Sequence, residues 1–354
     1  MSERPRDFDA DAVTHWLRRE GLTPESVEAL PGGASLRRYW RVRTSGTSSV
    51  LMTMPYGGPA SEELGKPGAS AGADFVAMAT WLDGLGLPVP RLQRVDLDGG
   101  AILLEDLGDR RLYDAITAGA DLEATYLPAL ELLVAFQSAT YAPAEACPNG
   151  DRRCDVRVLQ AELEHFLEYG IDARQGRRLL GDRRAALEAL FASVAARLGA
   201  APTALAHRDF QSQNIMITPR GLVLIDFQDA FVAPATYDLV ALLRDSYVVL
   251  EPAALARLID TYHRLRLAER LPGDPLADRV TLGRLFDLQT IQRKLKDAGR
   301  FEYIAQVKQN PSFLRYFADS VAYAVRALER FPEYGDALDA LCRAVPEAMA
   351  ARRA

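Results

Sequence analysis

The string HRDFQSQN, residues 207–214, and the later string LIDF, residues 224–227, decide the interpretation of this chain. A carboxylate, Asp209, stands five residues before a carboxamide, Asn214, and a second acid, Asp226, ends the apolar run that follows. Two apolar runs separated by a turn with glycine predict a β-hairpin. We expect a three-residue loop, 219–221, with its glycine in the left-handed backbone conformation.

This register places Asn214 opposite Asp226, and it points Ile215, Ile217, Val223 and Ile225 into the core. Directly opposed residues have Cβ atoms roughly 5 Å apart, close enough for an amide oxygen and a carboxylate to share a hard cation such as Mg2+. Asp209 would then accept the proton of a substrate hydroxyl. An isolated Asp-x4-Asn spacing is more often structural. Combined with the hairpin and the second acid, it indicates a phosphotransferase.

The rest of the chain predicts two lobes of different texture. Up to about residue 105, the alternation at 39–43 and the short runs at 49–53, 95–98 and 101–105 predict strands, and a helix is expected near the start, with Ala12, Val13, Trp16 and Leu17 on one face. From Leu112 onward the apolar spacing is mostly helical. We therefore expect an α+β, bilobal fold: a small N-terminal β-sheet lobe with helices at residues 1–107 and a larger, mainly helical lobe at 108–354.

Composition excludes several classes of protein. The chain has 354 residues, 49% of them hydrophobic, which fits a folded protein with a sizeable core. The formal net charge of −6 disfavours nucleic-acid binding, since phosphate neutralisation requires a basic surface. Apolar runs are too short to span a bilayer, so no membrane association is expected. The three cysteines form no CxxC pair, and we expect a cytoplasmic protein with no obligate protein partner.

Two segments of the first lobe are candidates for nucleotide contact. The turn at 32–35 contains Gly32, Gly33 and Ser35, and its glycines allow close backbone approach to phosphates, although a plain β-turn is an alternative. The segment 105–108 carries Glu105 and Leu107 and would be a hinge whose backbone meets an adenine edge. A simple connection between lobes is compatible with the same residues.

At these residues the chain resembles the aminoglycoside phosphotransferase and choline kinase group, relatives of the protein kinase fold. More narrowly, HRDFQSQNIM, LIDFQDA, TYDLVALLRDSY, GGASLRRYWRV and ILLEDLGD are similar to strings of the bacterial anomeric kinases of N-acetylmuramate and N-acetylglucosamine used in cell-wall recycling. The resemblance implies a protein-kinase-like fold, Asp209 as catalytic base, and Asn214 and Asp226 as Mg2+ ligands. It further implies ATP under the loop 32–38 and Asp238 as a brace of the catalytic loop.

One departure from this group concerns the phosphate grip. The group usually carries a lysine on the third strand, and the run 49–54 has none. Arg37, Arg38 or Arg41, beside the glycine-rich turn, is the candidate to supply that charge. The missing lysine also leaves open a noncatalytic, nucleotide-binding pseudokinase.

The acceptor is inferred from a basic stretch. Six basic residues against two aspartates give residues 279–300 a local balance of +4, and Arg293, Lys296 and Arg300 share one helical face. This face would suit an anionic substrate such as the lactyl carboxylate of N-acetylmuramate, with a solvated helix face as the alternative. Arg244 and Asp245 are read as sugar-binding or as a surface pair. Gln211, Asp229 and Glu162 are further candidate sugar contacts.

We therefore predict transfer of the ATP γ-phosphoryl group to the C1 hydroxyl of N-acetylmuramate, N-acetylglucosamine or both, with ATP and Mg2+ as cofactors. A choline, homoserine or aminoglycoside kinase fits the same catalytic strings. Such an enzyme would collect carboxylates, rather than the basic face at 293–300, around its acceptor.

Overall fold

The computed structural model describes residues 8–31, 37–54, 71–141, 147–271, 274 and 276–353. Sheet and helix combine within them as an α+β protein, as predicted. The strands are β1 (Ser26–Ala29), β2 (Arg38–Thr44), β3 (Thr47–Thr53), β4 (Leu92–Asp96), β5 (Ala101–Glu105), β6 (Thr203–Ala206), β7 (Ile215–Thr218), β8 (Gly221–Leu224) and β9 (Phe231–Pro234). The helices are α1 (Ala10–Arg19), α2 (Ala71–Gly84), α3 (Leu112–Thr117), α4 (Leu122–Ala139), α5 (Val156–His165), α6 (Asp182–Gly199), α7 (Tyr237–Leu243), α8 (Pro252–Glu269), α9 (Arg279–Gln306), α10 (Phe317–Leu328), α11 (Gly335–Ala344) and α12 (Pro346–Arg353).

The chain divides into two compact units. The first comprises Met1–Arg111, Glu145–Asn149 and Asn214–Ala230, and the second comprises Leu112–Ala144, Gly150–Gln213 and Phe231–Ala354. The lobe boundary after Leu107 stays a prediction.

The first unit is built on an antiparallel sheet with strand order β1-β2-β3-β5-β4. In β2 the buried side chains of Trp40 and Val42 alternate with the arginines 41 and 43, the pattern of a strand with one face toward a core. Asp9 caps α1 by accepting a hydrogen bond from the amide of Ala12 at 2.8 Å. The predicted apolar face of α1, Val13, Trp16 and Leu17, is buried against Trp40, Val42, Leu51, Ala101 and Leu103.

The second unit is mainly helical and is organised around α9. This helix of 28 residues packs against α5, α6, α7, α10 and the π-helical segment Phe166–Ala173. Burial extends around the helix from Phe286 to Glu302, and it includes polar and charged side chains. A short antiparallel pair, β6 with β9, lies in the same unit and leads into residue 207.

Cys147, Cys154 and Cys342 are all buried, and none of the three forms a disulfide bond. None of the described helices combines the length and the apolar character needed to cross a bilayer.

Candidate active site

The loop after β6 is held in a strained conformation by a buried carboxylate. Arg208 has a φ of 80°, in the left-handed region that non-glycine residues rarely adopt. Asp238, in the first turn of α7, is 1% exposed and accepts hydrogen bonds from the amides of His207 at 2.6 Å and Arg208 at 3.1 Å. Asp238 therefore braces this loop, as predicted.

Asp209 follows this strained residue in the second unit. Its side chain is 41% exposed and lies 3.2 Å from the guanidinium of Arg293, measured from Oδ1 to Nη2. Desolvation acts to raise the pKa of Asp209, but the positive charges of Arg293, Arg208 and Lys296 outweigh it and hold this pKa below its ordinary value. Asp209 is consequently a carboxylate at neutral pH, the form that can accept a proton.

Asp245 braces the same loop at Ser212. It is 1% exposed and accepts hydrogen bonds from the amide of Ser212 at 2.9 Å, the hydroxyl of Ser212 at 2.5 Å and the amide of Tyr247 at 3.0 Å. Its neighbour Arg244 is 6% exposed, with its guanidinium 4.6 Å from the ring centroid of Tyr323, and burial lowers the pKa of Arg244 to about 10. The surface-pair interpretation of these two residues is wrong because both side chains are buried. The contacts of Asp245 are those of a brace, and sugar binding by Arg244 and Asp245 stays a prediction.

This assignment predicts that Asp245→Ala destabilises the fold. Hydrogen bonds to a buried carboxylate contribute strongly, and we expect a loss of about 3 kcal/mol in the free energy of unfolding. Urea denaturation measures it, with Asp319→Ala on the exposed side of α10 as the matched control. A variant as stable as the wild type, but with a raised KM for the acceptor, would return Asp245 to the substrate site.

The hairpin in the first unit has a different register from the predicted one. Ile215 pairs with Leu224 and Thr218 pairs with Gly221, so the turn has two residues, Pro219 and Arg220, instead of three. The amide of Ile225 donates to the carbonyl of Asn214 at 3.0 Å, which makes Ile225, not Asp226, the partner of Asn214. The predicted opposition of Asn214 and Asp226 is wrong by one residue.

The same shift changes the faces of the hairpin. Ile215 and Ile217 share a face with Leu224 and Leu222, not with Val223 and Ile225 as predicted. Gly221 does adopt the expected positive φ, at 103°.

Asp226 follows the paired residues of the hairpin and has an unusual backbone conformation. Its φ is 66°, and its side chain is 47% exposed. Phe227, the next residue, is fully buried and stacks on Phe75 of α2 with ring centroids 5.1 Å apart. Gln228 donates to Asp226 Oδ1 at 2.9 Å and to Asp229 Oδ2 at 3.1 Å. The buried ring therefore anchors this turn while the acid before it reaches solvent.

The chemistry of Asn214 and Asp226 fits a magnesium ion. Asn214 and Asp226 offer hard oxygen ligands, and the exposed carboxylate of Asp226 is accessible to an ion that keeps part of its water shell. Mg2+ is usually held by one or two protein side chains together with substrate phosphates, not by an all-protein cage. The described residues contain no cluster of three or more His, Cys, Asp or Glu that would form such a cage.

The three candidate arginines of the first unit have different surroundings. Arg37 is 8% exposed, and its Nη1 lies 3.6 Å from Asp226 Oδ1. Arg38 donates to the carbonyl of Phe8 at 3.4 Å, on the face of β2 that packs on α1. Arg41 donates to Asp106 at 2.8 Å and to Asp109 at 2.8 Å, and these two carboxylates raise its pKa. Arg37 is therefore the arginine beside the candidate metal ligand.

The other nucleotide candidates are only partly described. Gly32, Gly33 and Ser35 lie outside the described residues. Glu105 ends β5 as expected, and its carboxylate accepts hydrogen bonds from Arg220 at 3.0 and 2.8 Å, an anchor for the tip of the hairpin. Leu107 follows in the segment after β5, and its contact with an adenine stays a prediction.

The basic face of α9 is not a solvated helix face. Arg293 is 2% exposed, and its guanidinium contacts Asp209 and the carbonyl of Arg208. The Lys296 side chain is 13% exposed, with its Nζ 3.6 Å from Glu162 Oε1. The solvated-face alternative is wrong, and much of the predicted excess charge is paired within the second unit.

Sequence reasoning missed one residue that shapes this region. Gln292, fully buried on α9, donates to Glu162 at 2.7 Å and so orients the carboxylate that Lys296 approaches. It is one residue before Arg293, but a glutamine between apolar helix positions gives no sequence signal for such a role. Gln211 and Asp229 are half-buried, and their contact with a substrate stays a prediction.

Known proteins resemble this chain in sequence and in fold. The model of the phosphotransferase enzyme family matches residues 26–274. An N-acetylmuramate/N-acetylglucosamine kinase from Pseudomonas aeruginosa is 29% identical over 329 residues, which cover 92% of this chain and 90% of that protein. A choline kinase from Streptococcus pneumoniae superposes with a TM-score of 0.60 at 16% identity, over 91% of this chain and 99% of that one. An ADP-bound aminoglycoside phosphotransferase superposes with a TM-score of 0.56 at 13% identity, over 90% and 97%. The predicted protein-kinase-like fold is confirmed.

Proposed function

Because the chain belongs to the phosphotransferase enzyme family and is a kinase that phosphorylates a hydroxyl group, we propose that its acceptor is the C1 hydroxyl of an N-acetylated amino sugar. N-Acetylmuramate and N-acetylglucosamine are the proposed substrates, and ATP is the proposed donor. Recycling of cell-wall sugars is the proposed setting. The relative from Pseudomonas aeruginosa supports the sugar, since the similarity extends over 92% of this chain.

The environment of Asp209 is the observation that carries the proposal. It is a half-exposed carboxylate with a lowered pKa, held on a loop that Asp238 and Arg293 fix by hydrogen bonds. A general base must be ionised and aligned at working pH. The lowered pKa of Asp209 and the hydrogen bond that holds its carboxylate support this role.

The proposed reaction transfers the γ-phosphoryl group of ATP to the acceptor oxygen. The acceptor oxygen forms a bond to the γ-phosphorus while the bond between that phosphorus and the β,γ-bridging oxygen breaks. The hydroxyl proton passes to Asp209, and ADP leaves with the bridging oxygen. An anomeric hydroxyl is more acidic than an ordinary alcohol, so Asp209 accepts the proton late and positioning contributes much of the rate.

Asn214 and Asp226 are the proposed magnesium ligands. Bound Mg2+ would neutralise negative charge on the nucleotide phosphates. Arg37, 3.6 Å from Asp226, is the proposed substitute for the third-strand lysine of related kinases.

The paired charges near Asp209 suit a polar acceptor such as a sugar. Arg293, Arg208 and Lys296 all act on this carboxylate. The pair of Lys296 and Glu162 offers both a cation and an acceptor of hydrogen bonds, a combination suited to a sugar that bears hydroxyl groups and a carboxylate.

An acceptor panel tests this proposal. We expect ADP release above background with N-acetylmuramate or N-acetylglucosamine, and a kcat/KM for choline, homoserine and kanamycin lower by at least about 100-fold, the discrimination expected when buried polar groups are left unpaired. A preference for choline or kanamycin would overturn the sugar assignment without changing the kinase assignment.

The role of Arg37 yields a separate prediction. Arg37→Gln should raise the KM for ATP by about tenfold, the effect of losing one charge-assisted hydrogen bond. It should also weaken binding of a nonhydrolysable ATP analogue, measured by calorimetry in the presence of Mg2+. Arg38→Gln is the matched comparison, since that guanidinium contacts the carbonyl of Phe8 instead. Equal effects of the two substitutions, or no effect of either, would dismiss Arg37.

A further inference from the structure

Arg293 makes contacts that differ from those of a substrate-binding arginine. It is on α9, 2% exposed, and 84 residues from Asp209 in the chain. Its Nη1 donates to the carbonyl of Arg208 at 2.8 Å, and its Nη2 donates to Asp209 Oδ1 at 3.2 Å. The guanidinium also lies 4.8 Å from the ring centroid of Tyr237. One buried side chain thus holds both a backbone group and the carboxylate of the next residue.

Together with Asp238, Arg293 holds the strained residue Arg208 by hydrogen bonds to both of its backbone polar groups. Asp238 fixes the amide of Arg208, and Arg293 fixes its carbonyl, so the peptide groups on both sides of the left-handed conformation are hydrogen-bonded. Such a conformation costs on the order of 1–3 kcal/mol and persists only where the surroundings enforce it. The orientation of the Asp209 side chain depends on these hydrogen bonds to Arg208.

We propose that Arg293 is a positioning residue for phosphoryl transfer, one that sets the orientation of Asp209 by holding the Arg208 carbonyl and one oxygen of the Asp209 carboxylate together. The inference rests on the proposed role of Asp209 as the base. It assigns Arg293 to the base rather than to the acceptor sugar.

The charged and titratable groups that face Asp209 allow this role to be separated from simple packing. The pKa of Asp209 is lowered by Arg293, Arg208, Lys296 and His207, which lie on α9 and on the loop of Asp209. Asp209 in turn raises the pKa of Asp238 on α7 and of Tyr247 after α7. Arg293 is the largest lowering influence. Its removal raises the pKa of Asp209, so a larger share of the base is protonated, and inactive, as the pH falls.

The experiment compares Arg293→Gln and Arg293→Lys with Arg284→Gln, a control on the exposed part of the same helix. For Arg293→Gln we expect kcat to fall on the order of 10-fold to 100-fold, as for a misplaced catalytic group, with a KM for ATP within about threefold of the wild type. The acid limb of its kcat/KM profile should move to higher pH. Ionisation of the nucleotide is common to all the enzymes, so differences between profiles report on the protein.

Arg293→Lys separates charge from geometry and covers the case in which Arg293→Gln does not fold. An ammonium keeps the positive charge but cannot reproduce the guanidinium fork. We therefore expect a lowered kcat with an acid limb close to that of the wild type. A wild-type kcat in this variant, or an unmoved acid limb in a folded Arg293→Gln, would overturn the inference. Asp209→Asn is run in parallel: if it retains turnover the proposed function fails, whereas an inactive Asp209→Asn with an unmoved limb in Arg293→Gln refutes only the role of Arg293.

Discussion

Asp209→Asn is expected to lower kcat for phosphoryl transfer by at least roughly two orders of magnitude, the typical contribution of a general base. The amide has nearly the same size as the carboxylate, but it cannot take up the acceptor proton. The substitution also removes the negative partner of Arg293, which is 2% exposed, so the unfolding midpoint should be measured together with turnover. Steady-state kinetics with saturating ATP and sugar give the change in kcat.

The exposed Asp260 on α8 provides the matched control for this experiment. Its side chain is 62% exposed, and Asp260→Asn should leave kcat close to that of the wild type. A folded Asp209→Asn enzyme with kcat within about threefold of the wild type would contradict the assignment, because general-base contributions are far larger than that.

Asp226→Asn is expected to have the second-largest effect. We predict a loss in kcat on the order of 100-fold or more, comparable with the removal of one preorganised electrostatic group from an active site. Because an amide is a weaker ligand for Mg2+ than a carboxylate, the Mg2+ concentration for half-maximal activity should rise as well. Magnesium titrations of activity and of nucleotide-analogue binding measure the two effects independently.

The control for Asp226→Asn is Asp83→Asn, an exposed acid on α2 in the same unit. An unchanged magnesium dependence in Asp226→Asn would contradict its role as a ligand, even if kcat fell. Its hydrogen bond from Gln228 and its position near Arg37 would then account for the loss of activity.

Local patterns predicted several elements of the first unit. The face of α1 formed by Val13, Trp16 and Leu17 follows from helical spacing, and Asp9 is its expected cap. The strand β2 follows from alternation, whereas β3 and β5 follow from short runs beside glycine-containing turns. The resemblance of the motifs added the brace by Asp238, which the hydrogen bonds to the loop amides bear out.

The hairpin register was beyond such reasoning. Residues 215–217 and 222–225 are apolar throughout, so a period of two does not say which face is buried, and a one-residue slip changes every partner. The turn decides the register, and Pro219-Arg220 closes it with two residues rather than three. A glycine at 221 is compatible with both lengths.

Long-range pairing explains the other differences. Helical spacing put Arg293 and Lys296 on one face of α9, but their partners, Asp209 and Glu162, are 84 and 134 residues away in the chain. Spacing along one helix shows which residues share a face and not what that face meets. For the same reason the adjacent charges Arg244 and Asp245 resemble a surface pair in the sequence, although both are buried.

The most direct test of the central claim is the identity of the product. The enzyme, ATP and Mg2+ are incubated with N-acetylmuramate, and the phosphorus of the product is observed by 31P NMR with proton coupling. We expect a phosphomonoester whose phosphorus is coupled to the anomeric proton, formed in step with ADP and absent with Asp209→Asn. A phosphate on another carbon, or ADP release with no sugar phosphate, would contradict it.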